Sequence, residues 1–234
     1  MTSFRTERGL DRLVNFSDAA VAIAITLLVL PLVDVAGQIT SMSLGRLFET
    51  HGGTFLAFAL SFVVIARFWV VHHRVFEFVI DYSSAIVWAN FLWLLSIVFL
   101  PFVTNVLANA QPNNGAVYAV YIITLIVTSG SMLLIEALLK RRPSLLRPES
   151  ADGLNLLPST VAICIFVVAL VLAVLFPTIG MLWLLLFALS TPIMRLVKRI
   201  RRNRDRDGSS TRRSGGTSGR DSGVGGDGGS AASS

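Results

Sequence analysis

The 234-residue sequence is poor in the side chains that build covalent or metal-bound frameworks: it has one cysteine, Cys164, and three histidines. A single cysteine excludes an internal disulfide framework and a cysteine-based zinc site. Charged residues make up only 15% of the chain, against about 25% in an average soluble domain. No Ser-His-Asp set, zinc signature or pair of facing carboxylates is recognisable, so we expect neither an enzyme nor a bound metal or cofactor.

Apolar side chains dominate instead, at 53% of the residues, with a mean hydropathy of +0.69. This composition predicts an all-α, polytopic membrane protein. A bilayer core requires about 20 mostly apolar residues per helix. Six stretches are long enough, and they run over 15–35, 54–73, 83–106, 116–139, 156–176 and 179–197.

The positive charges alternate between the two sides of these spans. Lys and Arg residues lie in the N-terminal arm, in the links after spans two and four, and after span six, whereas the other three links hold only Arg46. Because basic residues favour the cytoplasmic side, both termini are expected in the cytoplasm of a multi-pass protein of the cell membrane. Five spans, with the first as a secretion signal, is the alternative, although Asp18 would interrupt the apolar core of such a signal.

The end of the chain has a different composition. Residues 201–234 are rich in Gly, Ser, Arg and Asp and are expected to form a disordered cytoplasmic tail after a six-span domain over residues 1–200. From Arg195 on there are ten basic and four acidic residues, whereas the preceding residues hold ten of each. The net charge of +6 therefore belongs to a juxtamembrane cluster together with the tail, which favours anionic lipid head groups over nucleic acid as the partner.

The first span has two different faces. At about 100° per residue, Ile23, Leu27 and Leu30 fall within about 60° of one another, with Thr26 at the edge of the stripe. Asp18 points about 140° away from Ile23. Periodicity alone leaves the stripe as a lipid-facing, packing or pore surface, and Asp18 as a structural anchor or a gating group, since an ionisable residue in a span is usually paired or functional.

Three motifs in order resemble the transmembrane protein 175 family of potassium channels. The first is Arg-x-x-x-Phe-Ser-Asp at the start of span one, formed by Arg12, Phe16, Ser17 and Asp18. The second is Trp69-Val-Val-His72-His73 at the end of span two, and the third runs from Trp88 and Asn90 to Leu100-Pro101-Phe102 in span three. The resemblance covers about residues 12–104.

The resemblance implies a potassium-selective channel without a Thr-Val-Gly-Tyr-Gly filter. The single Phe-Ser-Asp motif implies a one-repeat, bacterial-type subunit that assembles as a homotetramer, with the first helix of each subunit lining the pore. The apolar constriction of the family corresponds to Ile23, with further rings at Leu27 and Leu30 and with Thr26 beside them. Ala22 departs from the animal members, which carry a polar residue there.

The remaining motif residues are expected to form a hydrogen-bond network near the cytoplasmic side, because a buried carboxylate needs partners. Its expected members are Arg12, Ser17, Asp18, Trp69, His72, His73 and Asn90. Glu136 is expected to pair with Lys140, one turn along the same helix.

A proton-coupled secondary transporter that uses Asp18 is the alternative function. It predicts saturable, proton-coupled flux and an internal repeat, and no repeat is visible in the sequence. The expected partners are therefore other copies of the chain, membrane lipids and permeant K⁺, with no nucleic acid.

Overall fold

A computed structural model describes residues 7–37, 43–111, 114–148 and 156–176. These residues form helices and connecting turns, and they contain no β-strand. Five segments are long and apolar enough to cross a bilayer, so the chain is a multi-pass, all-helical membrane protein. The sixth predicted span and the predicted tail, residues 179–197 and 201–234, lie outside the described residues. The helices are α1 (Glu7–Leu27), α2 (Leu30–Ala36), α3 (Leu44–Phe76), α4 (Ser84–Ala108), α5 (Gly115–Lys140) and α6 (Leu157–Leu175).

The first predicted span is two helices rather than one. At the junction, the N–H of Val29 donates to the carbonyl of Thr26 at 3.2 Å, which is a tighter, three-residue spacing. Pro31 has no N–H and cannot bond to the carbonyl of Leu27. The helix therefore breaks after Leu27 and restarts as α2.

α3 is longer than the sequence predicts. Its 33 residues extend about 50 Å at 1.5 Å per residue, whereas the hydrocarbon core is about 30 Å thick. The prediction placed its start at residue 54 because Arg46, Glu49 and His51 make the first turns polar. These turns therefore extend the helix beyond its apolar part.

The other predicted spans agree with α4, α5 and α6 to within about two residues. Pro158 lies in the first turn of α6, where its missing N–H costs nothing. Pro101 lies inside α4, as predicted. The long helices pack in sequence order, α4 on α5 and α5 on α6, while α1 lies against α3 and α4. The largest fully buried side chains include Trp93, Ile97, Leu100, Tyr121, Leu125 and Ile135.

Three buried hydroxyl groups join the helices at the end of the bundle away from the Phe-Ser-Asp motif. Ser61 Oγ of α3 lies 3.0 Å from the Tyr121 hydroxyl of α5. Thr104 Oγ1 of α4 lies 2.8 Å from Ser61 Oγ and 2.7 Å from the carbonyl of Leu100. Because each hydroxyl has a partner inside the apolar core, the cluster fixes the relative positions of three helices.

Two connections pair with each other at the end of the bundle that holds the motif. Val79, after α3, and Leu146, after α5, form an isolated antiparallel bridge. The N–H of Ile80 donates to the carbonyl of Leu145, and the N–H of Arg147 donates to the carbonyl of Phe78, both at 2.9 Å. A bridge between two short links has no sequence periodicity, so it was not predicted.

The expected pair of Glu136 and Lys140 is wrong. Glu136 is buried and accepts a hydrogen bond from Ser159 Oγ of α6 at 2.9 Å. Lys140 is exposed and makes no ion pair with a residue that the structure describes. The four-residue spacing allowed the pair, but the packing of α6 turns Glu136 away from water and gives it a hydroxyl donor.

This difference predicts a large loss of stability for one alanine variant and almost none for another. Ser159→Ala removes the donor to a buried carboxyl and should lower the free energy of unfolding by about 1–3 kcal/mol. Lys140→Ala should change it by less than about 0.5 kcal/mol, since the side chain is exposed. Thermal unfolding of the detergent-purified protein measures both, and a larger loss for Lys140→Ala would restore the ion pair.

Candidate functional site

α1 has one face packed into the protein and one face open. Ser17, Val21, Ala24 and Leu28 recur every three or four residues and are all buried against α3 and α4. This spacing is that of a helical packing face. It fixes which side of α1 remains available to ions, lipids or a second subunit.

The predicted stripe lies on the open face. Ile23 is 60% exposed, Leu27 is 39% exposed and Leu30 is 55% exposed. Leu30 belongs to α2, so the helix break lies between it and the other two residues. The Thr26 hydroxyl, also exposed, donates a 2.8 Å hydrogen bond to the carbonyl of Ile23, which is a back-bond to its own helix.

A chain of hydrogen bonds crosses from α1 to α4 and then to α3. Asn90 Nδ2 donates to Ser17 Oγ at 2.8 Å, and Ser17 Oγ donates to the carbonyl of Leu13 at 2.9 Å. His72 Nε2 lies 2.8 Å from Asn90 Oδ1. Because Oδ1 only accepts, His72 must carry a hydrogen on Nε2. The side chains of His72, Asn90 and Ser17 are all fully buried. The donors therefore point in one order, from His72 to Asn90 to Ser17 to the carbonyl of Leu13.

Aromatic rings enclose His72. Its ring stacks on Trp93 of α4 with centroids 4.1 Å apart, and on Phe76 of α3 with centroids 4.4 Å apart. Trp93 is completely buried. The stacking holds the imidazole plane in the orientation that Asn90 requires.

Asp18 lies beside this chain and has its own partner. Trp69 Nε1 donates to Asp18 Oδ1 at 2.8 Å. The Trp69 ring stacks on His73 at 5.4 Å, and His73 Nε2 lies 3.5 Å from Glu77 Oε1. His73 therefore packs against the face of the Trp69 ring. It makes no hydrogen bond to the carboxylate of Asp18.

Two residues of the Phe-Ser-Asp motif, Arg12 and Phe16, lie outside the hydrogen-bond network, and of these Arg12 was expected to belong to it. Arg12 is exposed, and no hydrogen bond or ion pair joins it to a residue that the structure describes. It lies six residues before Asp18 within α1, which is about 9 Å along the axis and on a different side of the helix. Phe16 is exposed and meets Phe91 of α4 edge-on at 6.2 Å.

Two features of this region were not predicted. Trp93 lies within the third motif, but its stack on His72 depends on the way α3 and α4 pack. Leu13 contributes a carbonyl only, which no side-chain pattern can indicate. Within the described ranges, no group of three His, Cys, Asp or Glu residues is arranged to hold a metal ion.

Comparisons with known proteins match this same region. The model of the TMEM175 family, described as the endosomal/lysosomal potassium channel TMEM175, matches residues 12–101. A potassium channel of Chamaesiphon minutus is 38% identical over 104 residues, which cover 42% of this chain and 48% of the relative. A potassium channel of Streptomyces collinus is 32% identical over 131 residues, covering 54% of this chain and 61% of the relative. The chain thus spans about half to two thirds of these relatives.

Two solved structures share the fold. A lysosomal potassium-selective channel TMEM175 homologue from Chamaesiphon minutus superposes with a TM-score of 0.65 at 24% identity, over 80% of this chain and 98% of that one. A variant of the potassium channel MtTMEM175, solved with a nanobody–MBP fusion, gives a TM-score of 0.54 at 17% identity, over 82% of this chain and 93% of that one. Residues 12–101, which carry the Phe-Ser-Asp, Trp-x-x-His-His and Trp-x-Asn motifs, are thus the part of the chain that matches the TMEM175 family.

Proposed function

We propose that the protein is a potassium-selective channel in which the open face of α1, from four copies of the chain, lines a central pore. The observation that carries the proposal is the exposure of Ile23 and Leu27 on α1, whose opposite face is packed into the subunit, and of Leu30 at the start of α2. The relatives that match this segment are potassium channels by name. Four such faces around an axis would enclose an apolar path with hydroxyls beside it.

The constriction is assigned to Ile23. A ring of four isoleucine side chains repels water, and an apolar ring closes a pore by dewetting when it is narrow. In the open state, an ion that passes must shed part of its hydration shell. K⁺ holds this shell less tightly than Na⁺, so K⁺ crosses at a lower cost. Apolar carbon does not replace the lost water, and the selectivity is therefore moderate.

Thr26 supplies oxygen one turn beyond the constriction. Its hydrogen is committed to the carbonyl of Ile23 at 2.8 Å, so the lone pairs of Oγ1 remain free to accept. A hydroxyl in this state presents only its negative side to a cation. Leu27 and Leu30 form the next apolar rings, and the break between them sets the direction of the path there.

The hydrogen-bond network serves as the support of α1 against α3 and α4. Ser17 is held by Asn90, and Asp18 is held by Trp69. These contacts lie on the side of α1 away from Ile23, so they position the constriction without touching the ions. No cofactor is required in this scheme, only permeant K⁺.

The membrane orientation follows from charge. The end of the bundle with the network and the paired links carries most of the described Lys and Arg residues, and this end is assigned to the cytoplasm. With six spans, both termini lie on that side of the cell membrane.

Ion flux into liposomes that contain the purified protein tests the function. The proposal predicts K⁺ uptake that rises without saturation as the K⁺ concentration increases, with much weaker Na⁺ uptake. A saturable flux that needs a proton gradient would instead support the transporter alternative. If well-folded tetramers showed no K⁺ flux, the proposal that the protein is a channel would be wrong.

Asp18→Asn separates support from conduction. Asparagine keeps an oxygen that accepts from Trp69 but loses the charge, so the hydrogen bond weakens by about 1 kcal/mol. We expect fewer tetramers or a lower open probability, with the K⁺/Na⁺ permeability ratio of the remaining channels unchanged. Size-exclusion chromatography and single-channel recording measure these quantities, and a changed ratio would place Asp18 in the ion path.

A further inference from the structure

The segment that follows α5 presents four cations in eight residues. Lys140, Arg141, Arg142 and Arg147 are all exposed. Between them the chain turns through a short 3₁₀ helix at Pro143–Leu145. We call residues 140–147 the basic segment.

The basic segment is fixed to the bundle. Leu145 and Leu146 are buried in the core, and the backbone on either side pairs with the link after α3 through the bonds of Ile80 and Arg147. Apolar anchors and cationic side chains therefore lie on opposite sides of the same short stretch. The backbone that carries these charges is therefore held in a fixed position on the bundle.

Within the described part of the chain, none of these four cations forms an ion pair. No hydrogen bond or ion pair joins their side chains to any residue in the ranges 7–37, 43–111, 114–148 and 156–176. Glu77 lies beside His73, and Asp81 Oδ1 accepts from the N–H of Tyr82 at 2.7 Å. Glu77 and Asp11 line a pocket together with Arg147, so Arg147 has carboxylates nearby without an ion pair to them. The positive charges of Lys140, Arg141 and Arg142 thus have no partner among the described residues.

The segment lies at the level of lipid head groups. The spanning helix α5 ends at Lys140 after 26 residues, and the next spanning helix, α6, begins at Leu157. The residues that connect two spanning helices start at the edge of the hydrocarbon core. An arginine fork matches the oxygens of a phosphate group through paired hydrogen bonds. Clusters of four or more cations beside a span bind anionic lipids.

We propose that the basic segment is a binding site for the head group of an anionic phospholipid. Arg141 and Arg142 bind the phosphate, while Lys140 and Arg147 border it, and the acyl chains lie along the exposed apolar faces of the helices. The site is separate from conduction, because none of its residues lies on the open face of α1.

Binding of dioctanoyl phosphatidylglycerol to the full-length protein in detergent tests the proposal by native mass spectrometry. Each cation near an anionic surface contributes about 1 kcal/mol, or about fivefold in affinity. The double variant Arg141→Gln/Arg142→Gln should therefore weaken binding about 25-fold, and Arg147→Gln about fivefold. The matched control Arg212→Gln/Arg213→Gln, which removes the same charge from the tail, should stay within about twofold.

Dioctanoyl phosphatidylcholine and glycerol phosphate complete the test. The expected result is weak binding of both ligands, unchanged by any variant. Equal losses in the tail control would reduce the effect to general charge attraction, and unchanged phosphatidylglycerol binding in Arg141→Gln/Arg142→Gln would remove the site. Glycerol phosphate that binds as tightly as the lipid would make this a site for free phosphate. Thermal unfolding confirms that each variant is folded.

Discussion

Ile23→Asn should widen the conducting path and bring the K⁺/Na⁺ permeability ratio close to one. Asparagine offers an amide oxygen and binds water, so a ring of four no longer forces an ion to shed its shell. The penalty that separates K⁺ from Na⁺ disappears along with the barrier. A barrier lower by about 1.4 kcal/mol would raise the single-channel conductance about tenfold.

Val168→Asn is the matched control for this variant. Val168 of α6 is 58% exposed, nearly the same as Ile23, and it is β-branched and lies in a spanning helix. Under the proposal it faces lipid, so the same substitution there should leave the permeability ratio unchanged. Reversal potentials under bi-ionic conditions measure the ratio. An unchanged ratio in Ile23→Asn, or equal changes in both variants, would contradict the assignment of the constriction.

Asn90→Leu should be the most destabilising of the substitutions considered. Asn90 accepts from His72 and donates to Ser17. Leucine of similar size would leave the buried N–H of His72 without an acceptor, and it would remove the donor to Ser17 Oγ, which would keep only its bond to the carbonyl of Leu13. Each unsatisfied group costs about 1–3 kcal/mol, so the loss should reach about 3 kcal/mol or more. Thermal unfolding and tetramer yield measure the effect.

A comparison with Asn105→Leu isolates the cause. Asn105 lies on the same helix, but it is exposed, and its side chain bonds only to Asn109 one turn later. Its replacement should change the free energy of unfolding by less than about 0.5 kcal/mol. If Asn90→Leu were as mild as Asn105→Leu, the buried chain would not be the support of α1.

The positions of the spans could be predicted from the sequence because membrane helices must be long and apolar. α4 and α5 agree with the prediction for this reason. α3 begins ten residues before the predicted span, because the polar residues Arg46 and Glu49 lie in a part of the helix that extends beyond the apolar core. The break after Leu27 follows from Pro31, which lacks the N–H that would bond to the carbonyl of Leu27.

The sequence could predict that a hydrogen-bond network surrounds Asp18, but it could not predict which residues bond to each other. A carboxylate inside a span, such as that of Asp18, required a donor, and motif residues on three spans offered several. Which donor it meets depends on helix rotation: Trp69 reaches Asp18, whereas Arg12 points to solvent. The same limit explains Glu136, where Lys140 lies at the right spacing but Ser159 lies on the buried side.

Thiol labelling at position 23 tests the central claim, that the open face of α1 lines the ion path, most directly. Cys164 is the only cysteine, so Cys164→Ser gives a background without thiols, into which Ile23→Cys or Val168→Cys is introduced. The account predicts that a water-soluble thiol reagent blocks the K⁺ current of the Ile23→Cys channel and leaves the Val168→Cys channel unaffected. A K⁺ current that persists after complete labelling of position 23 would contradict it.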